Sequence, residues 1–409
     1  MISTIKKYSK GSDTTIWVLF ILLCLISAVE MFSATSMLAF RAANHTAPIL
    51  RHVVFLAIGV SIAFVTHLLP ATWIRFLGYV LMGISLVLLV LVLFMGVTTN
   101  HAARWFHIAG VQFQPSELGK LSLIIVSADL IARYNYNKIN EHKYFRYLVI
   151  LTAVVCLLII GENFSTAALL FAVIWCMMVI GKLSSRKILM LTGGIVAFVV
   201  ISFGVYKMLP KDKVPSLLKR YETVENRVLR KFKDGKTAEN KFVIRDENRQ
   251  EQNAKIAIAR GGFFGLMPGN SVQRDYLDQA YSDFIYAIIV EETGLVGGLA
   301  LILIYMALLF RAGRIATKSK TIFPAIVVIG LTLMIVFQAF VNMAVSSGLI
   351  PVTGQPMPLV SRGGTSIVIT SIYFGIILGV TRQIKNETIK PFMDEEDLVA
   401  IDLIDDDDE

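Results

Sequence analysis

Long apolar blocks alternate with short polar segments along most of the chain. Ten of these blocks come close to the ~20 residues that an α-helix needs to cross a bilayer. They cover residues 16–38, 50–69, 76–97, 116–133, 146–161, 165–181, 187–209, 283–310, 322–346 and 365–381. The pattern predicts an all-α, polytopic membrane protein with ten transmembrane helices. One polar segment, residues 210–282, is much longer than the others and predicts a large loop between spans seven and eight.

The composition supports the membrane class. Of the 409 residues, 55% are hydrophobic and 17% are charged, and the mean hydropathy is +0.66. A soluble domain carries more charge, roughly 25%. We expect no cleaved signal peptide, because the first apolar block is too long for one. Cys24, Cys156 and Cys176 lie inside apolar blocks, where we expect them to pack as small hydrophobes.

Lysine and arginine residues in the short loops predict the orientation of the spans. With a cytoplasmic N-terminus, the short cytoplasmic loops carry eighteen of them and the outer loops carry four. We therefore expect a cytoplasmic N-terminus (1–15), spans one to seven (16–209), an extracytoplasmic loop (210–282), spans eight to ten (283–381) and a cytoplasmic tail (382–409). Both termini would then lie on the cytoplasmic side of the membrane.

The net charge of +9 hides an acidic tail. Asp394–Glu409 holds ten acidic residues, so the rest of the chain has 39 basic and 20 acidic residues, a balance of +19. This balance indicates anionic headgroups or phosphorylated substrates as partners. No recognition motif for nucleic acid accompanies the charge, and the six histidines lack ligand spacing, so we predict neither nucleic-acid binding nor a structural metal site. The tail is typical of a solvated segment, with partner binding as the alternative.

The long loop has two halves. Residues 214–233 place apolar side chains at helical spacing, which predicts either a helix on the outer membrane surface or a helix packed on the protein itself. A polar linker follows at 234–251. The second half is rich in glycine and leads into span eight.

Four polar segments fall on the outer side of the predicted bundle. They are residues 100–117, 161–166, 249–283 and 348–366. Polar loops that converge at one mouth of a helical bundle are typical of a substrate site. Glycine and proline are dense in the last two segments, which indicates that the backbone comes close to a partner there.

Asp283 and Lys120 are the candidates for chemistry at this mouth. Asp283 is placed in the first turn of span eight, after Ser282, and is either a cap of that helix or a general base for a substrate hydroxyl. Lys120 lies one turn into span four. It could snorkel to the interface, pair with Asp283 in a cavity, or pair with Glu117 at i,i+3 spacing.

Other charged residues are ambiguous. Arg104 and Arg362 are outer-loop arginines that could hold a phosphate with two hydrogen bonds. Glu291 and Glu292 lie about 12 Å deeper than Asp283 along span eight, where a structural pairing is favoured over catalysis. Glu30 in span one raises the same question.

Four motifs together resemble the SEDS family (shape, elongation, division and sporulation), the peptidoglycan polymerases of the FtsW/RodA type. The segment ARWFHIAGVQFQPSELGKL resembles the family signature RW…G…QPSE..K. GNSVQRDYLDQAYSDFIYAIIVEETGLVG resembles GNSVQ…LPEAHTDFIFA…EE.G..G, and PVTGQPMPLVSRGGTS resembles PVTG.PLP..SYGG.S. GENFSTA is similar to QPDLGTA. The match covers nearly the whole chain, and GNSVQ is more similar to the division members than to the elongation members.

The chain departs from the family pattern at several positions. Asp278 replaces the proline of LPEA, and Tyr281 and Ser282 replace the histidine and threonine before the aspartate. Arg362 replaces the tyrosine of SYGG, and Asn163 stands where an aspartate is usual. The aspartate at 283 is retained.

The resemblance implies a SEDS fold and a glycosyltransferase that polymerises lipid II, a disaccharide-peptide on undecaprenyl pyrophosphate, with inversion at the anomeric carbon. It implies Asp283 as the base. It implies that substrate-binding residues lie in the motifs and beside them: Arg104, Glu117, Lys120, Arg260, Ser271, Gln273 and Arg362.

Partners follow from the same resemblance. They are a class B penicillin-binding transpeptidase and other membrane proteins of the division septum. No fixed cofactor is implied; a divalent cation such as Mg²⁺ would assist a pyrophosphate leaving group, but the sequence shows no dedicated cage. Alternatives are an elongation-type polymerase, a lipid II flippase, or a scaffold without catalysis.

Overall fold

The computed structural model describes residues 12–34, 47–95, 97–99, 102–108, 111–137, 139–208, 248–277 and 280–389. Within these residues, each of the ten predicted spans coincides with one long helix. The helices before the long loop are α1 (Thr14–Ala34), α2 (Ala47–His67), α3 (Ala71–Met95), α4 (Pro115–Tyr136), α5 (Glu141–Glu162), α6 (Phe164–Ile180) and α7 (Ser185–Met208). After α8 (Arg249–Gly261) come α9 (Ile285–Ala316), α10 (Ile322–Ser346) and α11 (Gly364–Ile389).

Eight of these helices are long and apolar enough to cross a membrane. The other two predicted spans are α4, which carries four charged residues, and α6, which has 17 residues. The polytopic helical class is confirmed, and the count of ten spans stays a prediction. The domain boundaries also stay predictions. The proposed surface helix at 214–233 and the tail segment 390–409 lie outside the described residues.

A small antiparallel sheet is an addition to the predicted all-helical fold. Its strands are β1 (Val97–Thr99), β2 (Ala102–Ile108) and β3 (Val111–Phe113), in the order β1-β2-β3. Aromatic and β-branched residues in β2 and β3 favour strands. Residues 100–117 were predicted only as a polar loop segment, because none of the strands is long enough to show a clear alternation of polar and apolar residues.

Helix α4 lies in the centre of the bundle and is buried along most of its length. It packs against α3, α5 and α10. Gly330 of α10 allows the close approach, because a Cβ at this position would come within 2.8 Å of Ile124 and 2.6 Å of Met177. Helices α10 and α11 are also mostly buried, whereas α2 and α3 expose many large apolar side chains, as lipid-facing helices do.

The ion pair of Asp13 and the position of Asp283 mark the two ends of the bundle. At one end, Asp13 forms an ion pair with Arg311, at 2.5 Å from Asp13 Oδ2 to Arg311 Nη2. Asp283 lies at the opposite end, because it precedes α9 whereas Arg311 lies near the end of that helix. We call this opposite end the Asp283 end.

Candidate active site

Asp283 lies in a turn, residues 280–284, that precedes α9. Phe284 occupies the N-cap position of α9 and makes no side-chain cap bond. The interpretation of Asp283 as a helix cap is therefore wrong, because the helix begins two residues later than predicted. The carboxylate is partly buried, and Ser282 Oγ donates to its Oδ1 at 3.1 Å.

The loop between α10 and α11, residues 347–363, holds the first part of this turn. The backbone N–H of Arg362 donates to the carbonyl oxygen of Tyr281 at 2.8 Å. The hydroxyl of Ser361 donates to the carbonyl oxygen of Ser282 at 2.7 Å. Both contacts come from the SRGG segment, which places this motif directly beside Asp283.

Helix α10 holds the second part of the turn. Asn342 is fully buried, and its Nδ2 lies 3.1 Å from the carbonyl oxygen of Asp283 and 3.3 Å from that of Ser282. The same amide donates to the carbonyl oxygen of Gln355 at 2.8 Å. The backbone of the candidate base is thus fixed by side-chain donors from another helix.

Lys120 resolves one ambiguity of the sequence. It is buried, with 1% of its side chain exposed, and its Nζ lies 2.7 Å from Glu117 Oε1. The local i,i+3 pairing is confirmed. Lys120 neither snorkels to the surface nor forms its ion pair with Asp283. A buried pair of this kind avoids the large cost of an uncompensated buried charge.

The GNSVQ segment surrounds the carboxylate of Glu291. Ser271 Oγ donates to Oε2 at 2.5 Å, and the backbone N–H groups of Val272 and Gln273 donate to the same carboxylate at 3.2 Å each. Glu291 is fully buried. The structural pairing predicted for Glu291 is confirmed. Ser271 and Gln273, predicted as substrate-binding residues, are themselves buried and lie against this carboxylate.

Glu292 forms a second connection to the same loop. Its Oε1 accepts hydrogen bonds from the hydroxyl of Ser33 on α1 and from the backbone N–H of Ser271. Arg274 donates to the carbonyl oxygen and the hydroxyl of Ser33. Glu30, one turn before Ser33, is also buried. These contacts attach the end of α1 to the loop before α9.

Helix α9 is interrupted at Gly294, where φ is 71° and ψ is −173°. Hydrogen bonds to the loop at 262–267 replace the missing helical bonds. Before the break, backbone N–H groups of the loop donate to carbonyl oxygens of α9; after the break, N–H groups of α9 donate to carbonyl oxygens of the loop. The four bonds are Leu266 N to Glu291 O, Met267 N to Glu292 O, Leu295 N to Gly262 O and Val296 N to Phe263 O, at 2.8–3.3 Å. Only glycine fits at 294, because the backbone conformation is restricted to glycine and a Cβ would overlap the loop backbone.

The predicted arginines lie in different surroundings. Arg260 is 43% exposed, with its Nε 3.6 Å from Glu291 Oε1. Arg362 places its guanidinium 5.2 Å from the centre of the Tyr281 ring, a cation–π contact beside Asp283. Arg104 lies in β2, but its side chain is outside the described part of the structure.

The polar segments converge as predicted. Asn163 caps α6 by accepting from Ser165 N at 3.0 Å, and its amide donates to the carbonyl oxygen of Thr353 at 3.3 Å. An aspartate could make the cap but could not donate, so the departure from the family pattern adds a bond here. Thr365 donates to the carbonyl oxygen of Gln112 at 3.0 Å, which brings the sheet to the start of α11.

Sequence reasoning missed several residues of this network. Gln355 donates to Thr166 at 2.6 Å, and Ser361 and Ser33 make the contacts given above. The PVTGQP motif was a usable signal for Gln355, whereas Ser33 had none. Within the described residues, the His, Cys, Asp and Glu side chains form no group of three or more that could hold a metal ion. The divalent cation Mg²⁺ stays a prediction.

Together, the fold and the site define a multi-pass helical membrane protein with a partly buried carboxylate at one end, on a turn whose backbone is hydrogen-bonded to two other elements and whose Tyr281 ring contacts Arg362. Residues 13–386 match the family model described as cell cycle protein, which covers FtsW, RodA and SpoVE. The chain belongs to this family, as the motifs predicted.

Similar sequences and solved structures support the same family assignment. The chain is 33% identical to the probable peptidoglycan glycosyltransferase FtsW of Marinobacter nauticus, over 87% of this chain and 86% of that protein. It is 30% identical to the protein of the same name from Bacillus subtilis, over 74% and 72%. A chain from a peptidoglycan synthase complex that coordinates polymerization and crosslinking superposes with a TM-score of 0.72 at 26% identity, over 91% of this chain and 98% of that one. The rod shape determining protein RodA of Thermus thermophilus shares the fold, with a TM-score of 0.64 at 24% identity and coverage of 91% and 97%.

Proposed function

We propose that this protein is a peptidoglycan glycosyltransferase of the division type that polymerises lipid II, with Asp283 as the general base. Three lines of support are the family membership, the relatives named as probable peptidoglycan glycosyltransferases, and the hydrogen bonds that fix the backbone of the residue carrying one carboxylate. The last observation carries the proposal, because a general base must be held within hydrogen-bond reach of the proton it removes.

In the proposed reaction, the 4-hydroxyl of the acceptor GlcNAc attacks C1 of the donor MurNAc. A C1–O bond to the acceptor forms, and the C1–O bond to the pyrophosphate breaks with its electron pair leaving on the lipid pyrophosphate. The hydroxyl proton passes to Asp283, and the anomeric centre inverts from α to β. This step needs a base and cations near the leaving group.

Among the predicted arginines whose side chains the structure describes, Arg362 and Arg260 are at least partly exposed, and a guanidinium matches phosphate oxygens with two parallel hydrogen bonds. Lys120 is buried in its pair with Glu117, so we assign this pair a role in positioning α4. The GNSVQ loop is hydrogen-bonded to Glu291 and so fixes the helix, α9, that follows Asp283.

The partner in this proposal is a class B penicillin-binding transpeptidase, because the similar solved chain belongs to a complex that couples polymerization to crosslinking. Other septal membrane proteins would assemble around the pair. The protein would lie in the bacterial cytoplasmic membrane with both termini inside and Asp283 facing outward, as the charges of the short loops indicate.

The test is chain growth from lipid II by the purified protein with its transpeptidase partner. Asp283→Asn should lower the rate at least about 100-fold, the usual contribution of a positioned base. Glu251→Gln is the matched control, because Glu251 is a carboxylate on nearby α8 whose contact is a partly exposed pair with Lys255. Full activity of Asp283→Asn would exclude the base assignment. A wild-type protein without chain growth would favour the flippase or scaffold alternatives.

A further inference from the structure

Asn342 lies one turn before the end of α10 and is fully buried. Its Nδ2 carries two hydrogens and lies within 3.3 Å of three carbonyl oxygens, those of Ser282, Asp283 and Gln355. Because these acceptors are all carbonyl oxygens, only the amide nitrogen can face them. The side chain therefore does more than fill space in the core, because its amide hydrogen-bonds the backbone of two other segments.

The turn needs this external donor. Asp283 precedes α9, and the first helical bond at this end runs from Ala287 N to the carbonyl oxygen of Phe284. The carbonyl oxygen of Asp283 instead receives Asn342 Nδ2 at 3.1 Å and the hydroxyl of Ser346 at 3.4 Å. A carbonyl oxygen that is shielded from water is costly without a donor, and both donors to this one come from α10.

The same amide connects the turn to a third element. It donates to the carbonyl oxygen of Gln355, whose own side-chain amide donates to the hydroxyl of Thr166 on α6 at 2.6 Å. One side chain thus joins the turn that carries Asp283, the loop between α10 and α11, and through that loop the start of α6. A shift of Asn342 would move the candidate base relative to the walls of the site.

We propose that Asn342 is a positioning residue that sets the place of the Asp283 carboxylate by fixing the backbone of residue 283. The inference rests on the proposed function, because it assumes that Asp283 takes the proton of the acceptor hydroxyl. Asn342 itself is separated from the reaction by that backbone contact and takes no proton. A base displaced by about 1 Å loses on the order of 100-fold in rate, since the reacting atoms no longer meet in a productive geometry.

The test uses Asn342→Asp, which keeps the size and shape of the side chain but puts an oxygen where both hydrogens were. Thr332→Val is the matched control, since Thr332 is buried on the same helix and its hydroxyl has no hydrogen-bond partner among the described residues. Each variant is purified with the transpeptidase partner. The readouts are kcat and KM for lipid II and the hydrogen exchange of backbone amides in residues 280–288.

For Asn342→Asp we expect kcat to fall about 10- to 100-fold with KM within about twofold of wild type. Exchange should become faster in residues 280–288, and Thr332→Val should change neither readout. An unchanged kcat for Asn342→Asp would overturn the inference, and so would equal losses in both variants or a rise in KM without loss of kcat. The exchange readout needs no activity: if Asp283→Asn proved fully active, the assignment of Asp283 as the base would fail, while the exchange of residues 280–288 would still test the role of Asn342.

Discussion

Replacing Glu291 by alanine should detach the GNSVQ loop from α9. The carboxylate accepts hydrogen bonds from Ser271 Oγ and from the backbone N–H groups of Val272 and Gln273, and it is fully buried. Alanine leaves these three donors without their acceptor. Ser271 and Gln273 are buried, so water cannot replace the carboxylate there without opening the loop.

The magnitude follows from these contacts. A hydrogen bond to a charged acceptor contributes about 1.5–3 kcal/mol. The donors of the buried residues, Ser271 Oγ and the N–H of Gln273, lose their bonds in full, whereas water largely replaces the acceptor of the exposed Val272 N–H. The free energy of unfolding should therefore fall by about 3–6 kcal/mol. Arg260 adds below about 1 kcal/mol, because its guanidinium is 43% exposed and its interaction is screened.

The assay is denaturant or thermal unfolding of the purified protein in lipid nanodiscs, with proteolysis of the 262–277 loop as the local readout. Glu251→Ala is the control, since Glu251 pairs with Lys255 at the surface of α8 and should lose at most about 0.5 kcal/mol. Glu291→Gln should fall between the two, because an amide oxygen can still accept from Ser271 Oγ. The reasoning is refuted if Glu291→Ala and Glu251→Ala unfold alike and the loop stays equally resistant to protease.

Two further predictions concern the backbone and pH. Gly294→Ala should destabilise the protein by about 1–3 kcal/mol or more, because the backbone conformation is restricted to glycine and the new Cβ would overlap the carbonyl oxygen of Phe263; thermal unfolding checks this. Burial tends to raise the pKa of Asp13, but hydrogen bonds from Arg311 and from the backbone N–H of Ile16 outweigh it and lower that pKa. The stabilisation by ionised Asp13 should be present above about pH 4 and lost as the pH falls further. The difference in unfolding free energy between wild type and Asp13→Asn should be about 1 kcal/mol at pH 7 and should shrink in acid. A difference that does not change with pH would contradict this prediction.

The spans were readable from the sequence because each is a continuous apolar block bounded by polar residues. Helix α10 was predicted with the bounds it has, 322–346, since polar turns close it on both sides. Helix α9 was predicted to begin at 283 and begins at Ile285. The two-residue error arose because the preceding turn is held by Asn342 and Ser361, about 60 and 80 residues away, and local pattern carries no information about such contacts.

The site was only partly readable. The i,i+3 spacing identified the Glu117–Lys120 pair, because both partners lie on one helix face. The partners of Glu291 come from a loop about 20 residues upstream, and the sequence could say only that a buried carboxylate there needs some partner. Motif resemblance marked Ser271 and Gln273 as functional without showing that the hydroxyl of Ser271 and the backbone N–H of Gln273 donate to the protein's own glutamate.

The interruption of α9 at Gly294 also affects how the helix transmits movement. The four hydrogen bonds that bridge 262–267 to 291–296 run sideways to the loop, in place of bonds along the helix axis. The piece of α9 before Gly294, which follows the turn of Asp283, and the longer piece after it, which exposes apolar side chains such as Leu299 and Leu303, are both bonded to this loop. A movement of the longer piece would therefore reach residue 283 through the 262–267 loop as well as through the chain at Gly294.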